Sequence, residues 1–513
     1  MEENYSSIAL AENNAATTLT TAEVKAGIEQ EVRELVAWVL SGQSLTFFAF
    51  ELQLVPRILA LGGLFVQLFL CMRHERFQAA HTTPESGYKQ FGPHSRLLGT
   101  FFGKVRYWRT YFHSKGKGYY PLDIELGLTG DGFSMVLRSY AARLATKVSY
   151  AQAALLLTMF LRWSPAQESI EGMVLGLGRH TGAWFESAPA PQGDGEVLIV
   201  QIDSKATPTA TAAELAKRRG KRAPNPHPGS QRHRGRVARQ RRGSKKRRQK
   251  GDKAKNGKMA TIVTLYTLKK SAAGQLAGPI NKKVYASYAP KRHAVAIARR
   301  EANKRGFGPE SEKLIQIVTD GDNDLERYIG EYFPEAEHTI DVYHVTEYLW
   351  QAGECLYKEG SSELSAWVEE QKESLYAGRA ADIVNEIDAR LARFDPGRQS
   401  ARERLEKVRT YIAKRVDKMN YKELRERDLE ISSGAVEGAV NYVIARRFDC
   451  GGMRWIKERA EHLLQLRCVE VNDDWDAFVE FVHDRTREQA HREHRNLSLK
   501  CTTPEPLPIY GLA

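Results

Sequence analysis

The residues best suited to chemistry in this sequence are acids that close apolar runs. "LIQIVTDGDNDLERYIGEY" (314–332) is a strand-like run that ends on Asp320, with Asp322, Asp324 and Glu331 beyond it. By spacing alone these acids mimic an EF-hand loop. That loop wants Gly at its sixth position, where Leu325 stands, and a helix before it, where "LIQIV" stands. A calcium loop is therefore excluded, and Asp322 and Asp324 read as caps of the turn into the next helix, with Asp322 the nearer to any bound ion. A second run, "EVLIVQID" (196–203), ends on Asp203, and Glu437 lies in the small, apolar helix text "SGAVEGAV". Ligand sites in α/β sheets form at the carboxyl ends of strands. Two Asp on neighbouring strand ends and a Glu brought in on a helix offer hard oxygen ligands alone, a donor set for two divalent cations in phosphoryl transfer. Taken singly, each acid is better explained as a turn residue.

The elements needed to position these acids are legible as apolar periodicity. Runs at 196–203, 259–268, 282–289 and 313–320 read as strands, with a helix at 292–305 and a short strand over "TIDVYH" (339–344). That order predicts an α/β core. From 345 to about 430 the text is helical, and 432–448 is a further helix opened by Ser433. Asn441 stands one turn after Glu437, on the same face, where it could touch DNA.

Upstream, residues 21–80 read as helices around "ILALGGLFVQLFLCM" (58–72). That run is shorter than the ~20 residues a bilayer needs, so it predicts a buried helix and no membrane partner. "LLGTFFGKVRYWRTYF" (97–112) reads as a hairpin. Its Lys104, Arg106 and Arg109 interleave with Tyr107, Trp108 and Tyr111, which fits either a solvated edge hairpin or a nucleic-acid face. Residues 131–182 form a helical unit with capping boxes at Ser149–Gln152 and Ser164–Gln167. It is compatible with a helix-turn-helix reader or with plain packing. The chain closes on polar text with "HREHR", whose His491 and His494 are expected in solvent.

Composition narrows the partner. A net charge of +13 over 513 residues favours an acidic polymer. The tract 217–258 is hydrophilic and basic, densest at Lys245, Lys246, Arg247 and Arg248, and cannot bury enough apolar surface to fold alone. Such an arm adds phosphate affinity without sequence choice. The five cysteines form no CxxC pair, against a zinc module or disulfide frame and for a reducing cytosol. "MEENYSSIALAENN" is acidic and polar, so no signal peptide is expected.

Together "QIDSK", "IVTDGDNDL", "IDVYHVTEYL" and "SSGAVEGAVNYVIARRFDCGGMRW" resemble the signature blocks of ISKra-group insertion-sequence transposases, DDE recombinases of the Mutator-like clan. The resemblance spans about 200–456 and implies a ribonuclease-H-like mixed sheet core with an all-helical insertion, preceded by a mainly helical region with a β-hairpin. It implies Asp203, Asp320 and Glu437 as the catalytic triad holding two Mg²⁺ (or Mn²⁺) ions. It also implies Asp341 and His344 as the (C/D)xxH element, with His344 orienting groups rather than binding metal. Arg447, Gly452, Met453 and Trp455 match the block after the Glu, and Arg447 and Trp455 become expected DNA contacts; Gly451-Gly452 stands where relatives often have Ser-Gly.

The expected organisation is a helical region (1–95), a hairpin segment (96–130), a helical unit that is a helix-turn-helix DNA-binding candidate (131–190) and a first core part (196–345) carrying the basic insertion, expected disordered, at about 206–258. An all-helical insertion (346–430), final core helices (431–470) and a polar tail (471–513) follow. The expected activity is cleavage at terminal inverted repeats and joining of the 3′-hydroxyl to target DNA, by a homo-oligomer on paired ends in a prokaryotic cytoplasm, at the nucleoid. A metal-dependent nuclease on the same core, or a non-catalytic DNA-binding derivative, are the alternatives.

Overall fold

In a computed structural model the described residues are 18–41, 45–80, 88–114, 117–128, 130–213, 257–450 and 453–498. Two compact units divide the chain, one running up to Phe185 and resuming at Asp473, the other spanning Glu186–Asn472.

In the first unit, helices α1 (Thr21–Ser41) and α2 (Phe47–Ala80) pack on a three-stranded antiparallel sheet, β1 (Lys89–Thr100), β2 (Gly103–Ser114) and β3 (Lys117–Tyr119). Helix α2 corrects the expectation of a buried helix. Of its 34 residues only Leu70, Cys71, His74 and Phe77 are buried, while Phe47, Phe48 and Phe65 stand more than half exposed. The apolar text extends well past the run at 58–72, and among the described residues this one helix is long and apolar enough to cross a membrane. The hairpin is not simply solvated either: Tyr107, Trp108 and Phe112 are buried.

Helices α3 (Pro121–Glu125), α4 (Met135–Lys147), α5 (Tyr150–Leu161), α6 (Gln167–Gly178) and α7 (Thr181–Ser187) follow. Ser149 and Gln152 form the expected capping box. The second box does not form, because Ala166 occupies the N-cap of α6 and the Ser164 hydroxyl donates to the Pro165 carbonyl.

The second unit is built on a mixed five-stranded sheet. Its strands are β4 (Val197–Pro208), β5 (Gly257–Lys270), β6 (Leu276–Ser287), β7 (Leu314–Thr319) and β8 (Glu337–Ile340), in the order β6-β5-β4-β7-β8. β4 pairs antiparallel with β5 and parallel with β7, and β7 pairs parallel with β8. All six residues of "VLIVQI" are buried, as a central strand covered on both faces requires. Helices α8 (Lys291–Lys304) and α9 (Asn323–Tyr332) flank β7 in sequence.

The run to 344 breaks earlier than its β-branched text predicts. Asp341 accepts from the Tyr343 amide as an N-cap, so "VYH" opens helix α10 (Val342–Leu356). Helices α11 (Ser362–Tyr376), α12 (Ala380–Ala392), α13 (Gln399–Ala413) and α14 (Tyr421–Glu426) complete the helical insertion. Its Leu349, Trp367, Ile383 and Val408 share one core with Ile199 and Tyr266 of the sheet. The chain returns through α15 (Gly434–Ala439), a π-helical turn (Val440–Ala445) and α16 (Lys457–Val471). The expected polar tail is instead a 24-residue helix, α17 (Trp475–Ser498), in the first unit. Trp475, Phe478 and Val482 are buried there, and the His494 ring lies 4.2 Å from that of Tyr119 rather than in open solvent.

Candidate active site

Register builds the site. Ile202 of β4 pairs with Thr319 of β7, and Thr319 pairs with Ile340 of β8. The next residue on each parallel strand is an acid, so Asp203, Asp320 and Asp341 form one row where β7 and β8 end. Asp203 is not the end of its strand, as its sequence suggests. β4 runs on to Pro208 because β5 continues to pair with it after β7 has stopped.

The Glu437 helix is set over this row by buried amides. The Gln201 side chain, on the same face of β4 as Asp203, donates to the Ser432 carbonyl (3.0 Å) and accepts from the Val436 amide (2.9 Å). Gln316 does the same one strand over, donating to the Glu430 carbonyl (2.7 Å) and accepting from its amide (3.0 Å). Nothing in the sequence assigns these two buried glutamines a role. Their signal is a polar residue inside each apolar run, "VLIVQI" and "LIQIV".

Asp341 ties the pieces together. Its Oδ1 accepts from the Tyr343 and Ser433 amides, and its Oδ2 from His344 Nδ1 (2.6 Å) and Ser433 Oγ (2.8 Å). Burial would raise its pKa, but those bonds outweigh it and hold the carboxyl below its usual range. The hydrogen bond to Asp341 lifts His344 to about 9, against the effect of burial. One ligand atom each from Asp341, His344 and Glu437 lies within 4.8 Å of the others. Since both Asp341 oxygens are already taken by four donors, Asp341 serves as an anchor rather than an open ligand.

Burial raises the Asp203 carboxyl, the Ser204 amide opposes this, and the Asp320 and Glu437 charges raise it further. Mutually repelling carboxylates of this kind fit a hard divalent cation as their counter-charge. The Asp320 loop is braced from the helical insertion: the Tyr411 hydroxyl donates to the Asp320 carbonyl (2.7 Å). Gly321 has φ +77°, and a Cβ there would sit 2.7 Å from that hydroxyl, so glycine is required twice over. Asp322 caps α9 and pairs with Lys291 at 2.6 Å; Asp324 is an exposed partner of Arg327.

Of the remaining residues singled out in the sequence, Asn441 is exposed beyond Glu437. Arg447 is buried, its guanidinium 4.7 Å from the Trp455 ring, and the Trp455 indole donates to the Phe448 carbonyl. Both side chains therefore face the interior rather than a DNA surface. The π-helical turn that follows Glu437 is of a kind that recurs at functional sites. Lys245, Lys246, Arg247, Arg248 and Gly452 lie outside the described residues.

Residues 281–449 match the family model of ISL3-type DDE transposases, described as a transposase. This segment is similar to the DDE transposase domain. The match includes Asp320, Asp341, His344 and Glu437, and Asp203 precedes it on β4. No curated protein matches the chain. The transposase sequence motifs resemble the ISKra group and the matching model is that of the ISL3 type; both are DDE transposases of insertion sequences.

Proposed function

We propose that this transposase cleaves DNA at the ends of its insertion sequence and joins the freed 3′-hydroxyl to target DNA, with Asp203, Asp320 and Glu437 as metal-binding catalytic acids on a ribonuclease-H-like core. The observation that carries the reading is the row of acids at the ends of adjoining parallel strands, with the Glu437 helix clamped above it by Gln201. Two Mg²⁺ (or Mn²⁺) ions held by those acids would activate the attacking oxygen and stabilise the leaving one.

The chain's own residues do the rest. Asp341 takes the Nδ1–H of His344 and favours its protonated ring, with a pKa of about 9, so that near neutral pH the imidazolium keeps an Nε2–H to face the scissile phosphate. Asn441 meets the DNA backbone one turn from Glu437, and the Lys245–Arg248 stretch adds phosphate contacts. Work on paired ends calls for a homo-oligomer acting at the nucleoid.

The test is strand transfer with element-end DNA and Mg²⁺, comparing wild type with Asp320→Asn. Joining by wild type alone is expected. Equal joining by both proteins rejects the assigned acid, and nicking without joining by wild type leaves a nuclease.

A further inference from the structure

We propose that the open end of the β1–β2 sheet is a stacking platform for an unpaired base of DNA. The proposal rests on the reading of DNA as the substrate and adds a surface to it. Along β2, side chains 107, 109, 111 and 113 share one face. Tyr107 and Arg109 are closed over by α3, where Asp123 accepts from the Tyr107 hydroxyl (2.6 Å), Arg96 (3.1 Å) and Arg109. Past Arg109, among the described residues, exposure rises: Lys89, Phe91 and His94 are exposed, and Tyr111 and His113 are half-buried.

What lies open there is aromatic. Phe91 pairs across from Tyr111, and Lys89 across from His113. A register shift after Phe91 brings His94 opposite Arg109, and its ring stacks on that of Tyr111 at 5.5 Å and 22°. The Phe91 ring lies 5.9 Å from that of His113, and Phe91 is 46% exposed. Tyr111 lies across Gly118, where a Cβ would be 1.9 Å from its hydroxyl, so β3 leaves room for the ring to lie over it. Tyr120 completes the group, 4.8 Å from Tyr111, with the Arg109 guanidinium 3.5 Å from its ring.

Charge selects the occupant. From Tyr88 to Tyr120 there is no acidic residue against seven Lys and Arg. Asp123 neutralises Arg96 and Arg109 from outside that stretch, and Lys89 on the platform face remains exposed. An apolar protein partner gains nothing from such a bias, whereas a nucleic acid supplies both the phosphates and a π-face. The helical unit at 131–182 is a poorer candidate, since the Lys and Arg within its helices α4 to α6 are confined to α4, and α6 carries Glu168 and Glu171.

The experiment is an anisotropy titration of the full chain, in EDTA, with a labelled mixed-sequence single strand and with its duplex. Tyr111→Leu, and Phe91→Leu as a second variant at an exposed position, are expected to weaken single-strand binding about tenfold and duplex binding less. Neither is expected to change the salt slope, whereas Lys89→Gln lowers it by about one for both forms. Wild-type affinity in both aromatic variants, with unchanged circular dichroism, overturns the platform. So does an equal loss on duplex and single strand. Because binding is read without metal, it is independent of the joining assay. Wild type that fails to join DNA while Tyr111→Leu still weakens single-strand binding removes the activity reading and leaves the platform.

Discussion

The two sheets of this protein use polarity in opposite ways. The five-stranded sheet hides it: Gln201, Gln316, Thr319 and Asp341 are all buried, and each hydrogen-bonds a segment that carries or adjoins one of the candidate acids. The three-stranded sheet leaves aromatic rings in the open on an acid-free stretch. Order within the first sheet comes from buried donors and acceptors that are costly to leave unpaired. The second has little buried polarity at its open end, so its value lies in what it offers to a ligand. Substitutions should therefore cost geometry and stability in one sheet and only affinity in the other.

The sharpest break in that contrast is Asp320→Asn. Strand transfer should fall about a thousandfold or more, with folding hardly altered. Mg²⁺ at about a hundred times its Kd should stabilise wild type by about 2.7 kcal/mol and leave the variant unmoved, as a thermal shift would record.

Next in size is Gln201→Leu, which strands the Val436 amide, the Ser432 carbonyl and a bond to the Tyr266 hydroxyl. A loss of about 2–3 kcal/mol in a urea titration is expected, with joining reduced as Glu437 loses its seat. Gln201→Glu, which keeps the acceptor for Val436 but buries a carboxylate against the Ser432 carbonyl, should cost at least as much. Equal stability in the Leu variant and wild type would remove the clamp from the account.

A smaller effect concerns pH. His338 meets the Thr319 hydroxyl at 2.9 Å beside Asp320, and burial, with Lys418 nearby, lowers its pKa from 6.5 to about 4. The unfolded chain binds that proton first, so the contribution is complete above about pH 6.5 and fades as pH falls toward 4. Wild type should lose about 2 kcal/mol over that window relative to His338→Gln, measured by urea midpoints. At the bottom of the scale, Asp324→Ala should change stability by less than about 0.5 kcal/mol, because its pair with Arg327 is solvent-exposed.

Much of this was legible because the candidate acids interrupt apolar text. Asp320 at the end of "LIQIV" and the N-cap role of Asp322 follow from local pattern alone, and the structure places them accordingly. The Asp203 strand read as too short because a single sequence does not reveal that β5 outlasts β7 as a partner. Asp341 and His344 came from resemblance, and their helical setting was hidden by the β-branched run before them. Burial was the hardest to read. The hydrophobic text of α2 could not say that most of its surface would stay open, nor could Arg447 and Trp455 announce that they pack inward. Gln201 and Gln316 carry no assignment from sequence, because their partners lie more than a hundred residues away.

The alignment of Asp203 with Asp320 also sets where this gene tolerates change in length. A codon lost between 197 and 203 shifts the register by one residue and turns Asp203 or its buried neighbours to the opposite face, so the copy would lose core packing along with the row of acids. Codons gained or lost between Pro208 and Gly257 leave that pairing untouched. Degenerating copies should therefore accumulate length variants in the connection long before they do in the strand.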